Sequence, residues 1–460
     1  MFNFTMEFLW TDIMVYILIA TISAFIIYAS GREHLKAPWR SVFKSRMGVA
    51  AFMVLMVYVC IGFMDSIHYK KANDPEIVSL FDDLVGELRT KEEKTYSAPF
   101  ATHLFAKEMI EHSDGTRSRD YPRLKWGGNK LQNTDTDKAG DILLRSFKAI
   151  AVGLLIWSVL AVIMILVIAR QQRCAWPTIV ATLWRGQGTY PWKVVFFTAA
   201  VIIVLISLAA GLSDHYHILG TDKVGQDVFY QTLKSIRTGL VLGTLTTLFM
   251  LPIAISLGIM AGYFRGWVDD VIQYLYTTLS SIPGVLLIAA AVLMLQVYMS
   301  NNPDQFGDIT SRADARLLFL CLILGITSWT GLCRLLRGEA LKITQVEYIQ
   351  AATAFGVGHL RIISRHILPN VMHIVLISIV LDFSGLVLAE AVLSYVGVGV
   401  DPSTNSWGNM INGARLEMAR EPMVWWSLVA AFSFMFVLVL SANLFSDAVR
   451  DAFDPRIQKK

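Results

Sequence analysis

Charge is scarce in this sequence. Only 17% of its 460 residues are Asp, Glu, Lys or Arg, where a soluble chain carries about a quarter. Cysteine is scarcer: Cys60, Cys174, Cys321 and Cys333 are the four, none in a C-x-x-C pair, and all lie in or beside apolar segments. That pattern argues against a disulfide framework or a zinc site and points to buried free thiols. No Lys or Arg precedes Arg32. The first apolar run therefore lacks the positive leader of a cleavable signal peptide and reads as a retained span. No G-x-x-x-x-G-K-S/T occurs, so the chain has no phosphate cradle of that kind. The short alternating segments of a membrane barrel are missing too.

What is present is apolar length. Hydrophobic residues make up 55% of the chain, with mean hydropathy +0.52. Several nearly uncharged windows reach the roughly 18 residues that cross a hydrocarbon core as a helix. The expected class is an all-α polytopic membrane protein. Nine spans are expected, near 11–30, 47–65, 148–169, 192–212, 238–261, 274–298, 315–335, 372–394 and 424–445. The net charge of +4 matters less than where the cations sit. Segment 31–46 carries Arg32, Lys36, Arg40, Lys44 and Arg46 against Glu33, and segment 170–193 carries Arg170, Arg173, Arg185 and Lys193 with no acid. Positive segments stay on the cytoplasmic side. Alternation then places the N-terminus outside and the C-terminus, with Arg450, Arg456, Lys459 and Lys460, inside.

Residues 66–147 are the one long polar stretch, placed outside by this topology. Ile77, Leu80, Phe81, Leu84 and Leu88 make a helical stripe over 76–90. Segment 98–112 reads as a second helix, and 113–140 as loop. The stretch shows no catalytic constellation.

Residues 347–370, EYIQAATAFGVGHLRIISRHILPN, form a polar, basic island between two spans, and the topology puts them in the cytoplasm. Helix formers lead to Gly356, whose tolerance of left-handed dihedrals suits a helix end. A second helical run ends at Leu368-Pro369, where proline is expected to push Leu368 out of helical geometry and to start the next span, its missing N–H costing nothing there. Ala351, Ala352, Gly356, Leu368 and Pro369 resemble the EAA loop of binding-protein-dependent ABC importer permeases. HILGTDKVGQDVF (217–229), AGYFRGWVDD (261–270), LAEAVLSYVGVGVDPSTNSWGNMI (388–411) and LFSDAVRDAFDPR (444–456) resemble, in order, the dipeptide/oligopeptide/nickel branch of that superfamily. The resemblance covers about 190–460, and 37–55 resembles the usual leader and first span.

The resemblance implies a type I ABC importer transmembrane domain with added N-terminal spans and a small external domain. The expected parts are two spans in 1–65, an external domain in 66–147, a further span and cytoplasmic linker in 148–190, and the permease core in 191–460 with its coupling loop at 340–370. The implied partners are a second homologous permease, two cytoplasmic ATPases, an extracytoplasmic binding protein and the bilayer, with no nucleic acid. The chain itself is then not an enzyme. It binds no cofactor or metal, and ATP and Mg belong to the ATPases. Glu347, Gln350, Ala351, Ala352, Phe355, Gly356, Leu360, Leu368 and Pro369 would couple to an ATPase. Gln350 stands where the family carries an acid. Gly220, Thr221, Asp222, Gly225 and Asp227 would form a loop on the binding-protein or gate side, with Gln226 where an Arg is usual.

Asp382 sits mid-span with Ser378, Leu386 and Glu390 on one helical face. A carboxylate at membrane depth should face a wet interior, so Asp382 and Glu390 are candidates for the translocation path. Gly258 and Gly262 suggest close helix packing. His215, His217 and Asp214 have only weak metal-ligand spacing. Trp425 and Trp426 are expected in the interfacial belt. The functional expectation is a permease subunit importing di- and oligopeptides into the cell across the inner membrane. Alternatives are a permease for a nickel chelate, glutathione or a peptide antibiotic, an ion-coupled transporter using Asp382, and a sensor or scaffold built on 66–147.

Overall fold

The computed structural model describes residues 4–453 except 32, 72–76, 112–116, 132, 173–175, 177–182, 184–189, 304–305 and 307–308. Arg32, Arg173, Cys174, Arg185, Arg456, Lys459 and Lys460 lie outside the described residues. Strand β1 (Phe4–Met6) leads to helices α1 (Trp10–Ser30), α2 (Glu33–Val42) and α3 (Arg46–Asp65). The inserted segment follows, with β2 (His68–Lys71), β3 (Ile77–Ser79), α4 (Leu80–Leu84), α5 (Gly86–Thr90), β4 (Glu108–Glu111) and β5 (Arg117–Asp120). Then come α6 (Thr134–Gln172), α7 (Trp192–Ser213), α8 (Val228–Phe264), α9 (Gly266–Ser281), α10 (Gly284–Asn301), α11 (Ile309–Ser328) and α12 (Thr330–Ile343). The chain continues as α13 (Glu347–Ala354), α14 (His359–Ile362), α15 (Leu368–Tyr395), α16 (Trp407–Glu417) and α17 (Trp426–Phe453).

Eight described helices are long and apolar enough to cross a membrane. The expected first span is the 21-residue helix α1, whose continuously described apolar part is Trp10–Ala24. The expected span 274–298 is corrected: the chain breaks at Ile282–Pro283, giving α9 and α10 as separate helices. Proline at 283 has no N–H to continue the first helix but is well placed to start the second. The span 148–169 is the inner part of a 39-residue helix.

The inserted segment differs from its sequence reading. Residues 77–79 are a strand, paired antiparallel with β2, which also pairs with β1. The helix begins only at Leu80, because Ser79 and Asp82 make a reciprocal capping box. The described residues of segment 98–112 contain no helix and end in β4, paired with β5. Residues 113–140, expected as loop, contribute β5 and the start of α6.

Ion pairs fix the N-terminal elements to α8. Lys234 contacts Asp65 at 2.6 Å and Asp82 at 2.9 Å. Burial pushes the Asp82 carboxyl up, but the Lys234 ammonium and the Tyr230 hydroxyl overcome this and hold it at about 2. One turn on, Arg237 pairs with Asp12 of α1 at 2.7 Å and lies 3.8 Å from Asp314 of α11. Asp314 also accepts from the Thr11 hydroxyl.

Packing at the other end of α8 is backbone-close, as the G-x-x-x-G spacing suggests. A Cβ on Gly258 would lie 2.8 Å from Leu336 Cβ, and one on Gly262 would lie 2.6 Å from Ala340 Cβ. Glycine lets α8 and α12 touch there. The β1–β2 sheet, the inserted segment, residues 214–227 and the start of α17 share one end of the bundle. The α8–α9 junction and the segment from Thr344 to His359 share the opposite end.

Candidate functional site

At that opposite end, α13 closes with the Gly356 N–H donating to Thr353 O at 3.0 Å and the Val357 N–H to Ala352 O at 3.1 Å. Gly356 has φ +73°. This paired ending needs a left-handed residue, which glycine supplies without a Cβ clash.

Pro369 stands in the first turn of α15, as expected, but the expected break at Leu368 is absent. Leu368 is helical, at φ −53° and ψ −47°, and its N–H donates to Ile363 O. Residues Ile363–Ile367 form one π turn that leads directly into α15. The wider turn accommodates the missing proline N–H at the first turn of α15 instead of ending the helix. His359–Tyr395 is therefore one 37-residue helical run.

One face of this loop is anchored. Ile349, Ile362 and Ile367 are at most 1% exposed and join the core formed with α8, α12 and α15. On the free face Phe355 is 87% and Leu360 83% exposed. Glu347, Gln350, Ala351 and Pro369 are exposed, and Ala352 and Leu368 half-buried. Gln350 Nε2 donates to Gln345 O at 3.2 Å. Two contacts tie the loop to the α8–α9 junction: Tyr263 Oη with His359 Nδ1 at 2.8 Å, and Arg265 to Thr344 Oγ1 at 2.9 Å. Arg265 has φ 54° and ψ −167°, a conformation that favours glycine. Beside it, bonding from Arg337 at 2.5 and 2.7 Å holds the Asp269 carboxyl below the usual carboxylate range.

At the first end, the stretch 217–229 lies under the inserted segment. Gly220, Thr221, Gly225 and Asp227 are buried, and Asp222 is half-buried. The Ser97 N–H donates to Thr221 Oγ1 at 2.7 Å, the Thr221 N–H to Ser97 O at 3.0 Å, and the Glu93 N–H to Gly225 O at 2.9 Å. Gly220 and Gly225 have φ +71° and +81°. A Cβ on Gly225 would overlap the Glu93 carbonyl, and one on Gly220 that of Ser97. Asp227 caps α8, accepting from Phe229 and Tyr230 N–H at 2.8 and 3.1 Å.

His217 lies between two carboxylates. Its Nδ1 is 2.7 Å from Asp227 Oδ2 and its Nε2 is 3.5 Å from Glu93 Oε1. Glu93 also accepts the N–H groups of Lys125 at 2.9 Å and Trp126 at 2.7 Å. Burial works against charge on His217, but the two carboxylates prevail and raise its pKa to about 9. Trp426 is 1% exposed and donates to Thr221 O at 2.9 Å. It is a core residue, and only Trp425 keeps the exposure expected of an interfacial belt.

Asp382 is half-buried in α15, and among the described residues no side chain bonds to its carboxylate. Glu390 is 1% exposed and accepts from Ser394 Oγ at 2.8 Å. It packs against Gly408 at the start of α16. Cys321 and Cys333 are buried free thiols, whereas Cys60 is exposed. Sequence reasoning missed Glu93, Ser97, Tyr263 and His359, because each acts through a partner far along the chain.

The two ends frame a bundle of membrane-length helices, with an anchored loop that exposes Phe355 and Leu360 at one end and a covered loop at the other. Residues 254–459 match the family described as binding-protein-dependent transport system inner membrane component. The glutathione transport system permease protein GsiD of Pectobacterium atrosepticum is 31% identical over 242 residues, 53% of this chain and 73% of that protein. The oligopeptide transport system permease protein OppC of Mycobacterium tuberculosis is 31% identical over 52% of this chain and 76% of its own length. The dipeptide transport system permease protein DppC of Bacillus subtilis is 29% identical over 54% and 70%. The inward-facing MetNI methionine ABC transporter matches with TM-score 0.36 and 15% identity, over 48% of this chain and 96% of that one. The chain belongs to the binding-protein-dependent permease family. Its fold is the type I ABC importer transmembrane fold, and the described residues also form two small sheets.

Proposed function

We propose that this chain is a permease subunit of an ATP-driven importer and forms part of the path for short peptides across the inner membrane. The N-terminus lies outside and the C-terminus in the cytoplasm. One observation carries the reading: Phe355 and Leu360, 87% and 83% exposed, flank a turn whose neighbours Ile349 and Ile362 are buried. Large apolar side chains presented on a rigid support mark a surface that a partner covers. The partner is an ATPase subunit, and its closure moves α13 and, through the π turn, α15. ATP and Mg stay on the two ATPases, and this chain binds neither. A second permease completes the path, and a binding protein delivers the peptide at the end that carries the inserted segment. Asp382, with no partner carboxylate or cation among the described residues, lines the path, and Glu390 holds its outer end to α16. The peptide assignment rests on the substrates in the names of OppC and DppC.

The test is reconstitution in proteoliposomes with the second permease, the ATPases and the binding protein. ATP hydrolysis and uptake should rise with peptide-loaded binding protein and not with a nickel chelate. Uptake without the ATPases, abolished by Asp382→Asn, would replace this reading with ion-coupled transport.

A further inference from the structure

The inserted helices create a crevice that the coupling and path residues do not use. Helices α6 and α7 form a tight hairpin. A Cβ on Gly211 would lie 2.9 Å from Ala149 Cβ, one on Gly153 3.1 Å from Ser207 Cβ, and Ser207 Oγ donates to Ala149 O at 2.8 Å. Almost none of this hairpin is buried within the protein. Part of α7 packs against α3, and beside that contact residues of α3, α4, α5, the hairpin and the start of α8 line a gap. The space between is a cavity of about 1070 Å³, just above the range of about 300–1,000 Å³ for small-molecule sites.

Its lining is graded. Towards the inserted segment lie the ionisable groups Glu87, Arg145, Lys148 and Asp214. Farther along the same helices lie Met56, Val152 and Ile206. On α7 the step from Asp214 to Ile206 is about 12 Å at 1.5 Å per residue. Two of the four charges are already matched: Arg145 pairs with Asp141 at 2.7 Å and Glu87 with Lys91 at 3.2 Å. Lys148 and Asp214 are exposed, and neither has a salt bridge among the described residues. They flank the Ala149–Gly211 contact, one residue and three residues from it, so a cation and an anion stand close together at the mouth of an apolar slot.

We infer that the crevice holds a membrane phospholipid with a primary-ammonium headgroup, its phosphate on Lys148, its ammonium on Asp214 and an acyl chain along α3 and α7. The bilayer around a multi-pass protein supplies this ligand. The opposite unpaired charges match a zwitterion that donates hydrogen bonds, rather than an anionic lipid or a quaternary ammonium. An acyl chain fills the apolar slot by van der Waals packing between the spans, without needing a protein partner.

The experiment uses the full-length chain in nanodiscs with equal ethanolamine, choline and glycerol phospholipids, followed by native mass spectrometry of retained lipid. Wild type should retain the ethanolamine lipid over the choline lipid by about fivefold, the effect of one well-placed charge at a membrane surface. Lys148→Glu should lose this retention and Lys148→Arg keep it, while Asp214→Asn should shift the choice to the glycerol lipid. Ala210→Trp, placed on an exposed cavity-lining residue, should fill the slot and remove bound lipid of every headgroup. Lipid retained by Ala210→Trp as by wild type, retention in bulk proportions, or a non-lipid compound in the crevice would overturn the inference.

Discussion

The N–H of Leu368 donates to the carbonyl of Ile363, five residues back. That single bond makes the second arm of the 347–370 loop and the span carrying Asp382 one helical piece. In the proposed importer, a push on Leu360 is delivered along α15 rather than lost in a flexible joint. The buried Ile362 and Ile367 hold the piece against α8 and α12.

Exposed anchors can be changed without touching the fold. Phe355→Ala and Leu360→Ala should leave thermal stability within about 0.5 kcal/mol of wild type. Each should weaken ATPase docking by about tenfold or more, as loss of an interface anchor does. Affinity of the purified subunit for the ATPases, beside a melting curve, checks both parts.

Gly356 faces open space, with no neighbouring atom within 4 Å of where a Cβ would sit, so its substitution reports backbone strain alone. Gly356→Ala should cost about 1–2 kcal/mol in the local turn, and Gly356→Asn less. Hydrogen exchange at Gly356 and Val357 N–H, which close the turn, should accelerate in that order.

Arg265 is the reverse case, a long side chain in a glycine-like conformation. Relief of that strain is worth about 1–3 kcal/mol, against about 1 kcal/mol for the bond to Thr344. Arg265→Gly should therefore raise the melting temperature. A fall would show that the Arg265–Thr344 bond dominates.

The His217 cluster gives a pH dependence with a fixed sign. The folded-state pKa is raised to about 9, so the protonated pair stabilises docking of the inserted segment fully below the unfolded value near 6.5. The stabilisation, on the order of 2 kcal/mol, is lost as pH rises through about 9. Protease accessibility of residues 91–105 should increase over that window. His217→Gln should remove the pH dependence and leave the segment more accessible at neutral pH.

Legibility in the sequence followed the range of the interactions. Gly356, Gly258 and Gly262 were readable because their roles follow from local spacing and the lack of a Cβ. The permease order and most spans were readable from apolar length. The π turn was not, since proline after a helical run ordinarily signals a stop, and only the register of Ile363 and Leu368 shows that the helix continues. The strand at 77–79 was hidden because Ile77 fits a helical stripe as well as a β pairing, and the capping box decides between them. The covering of Gly220–Asp227 rests on Glu93 and Ser97, more than a hundred residues earlier, and no periodicity connects them.

In the proposed importer, force from ATP enters through the loop and reaches α15 without a flexible break. The most direct measurement is substrate-stimulated ATP hydrolysis and peptide uptake in the reconstituted transporter after Ser364→Gly-Gly, which inserts one residue into the π turn and loosens it. The ATPases should still dock and hydrolyse ATP while uptake and its stimulation by loaded binding protein collapse. Uptake at wild-type rates with the turn loosened would overturn coupling through the π turn.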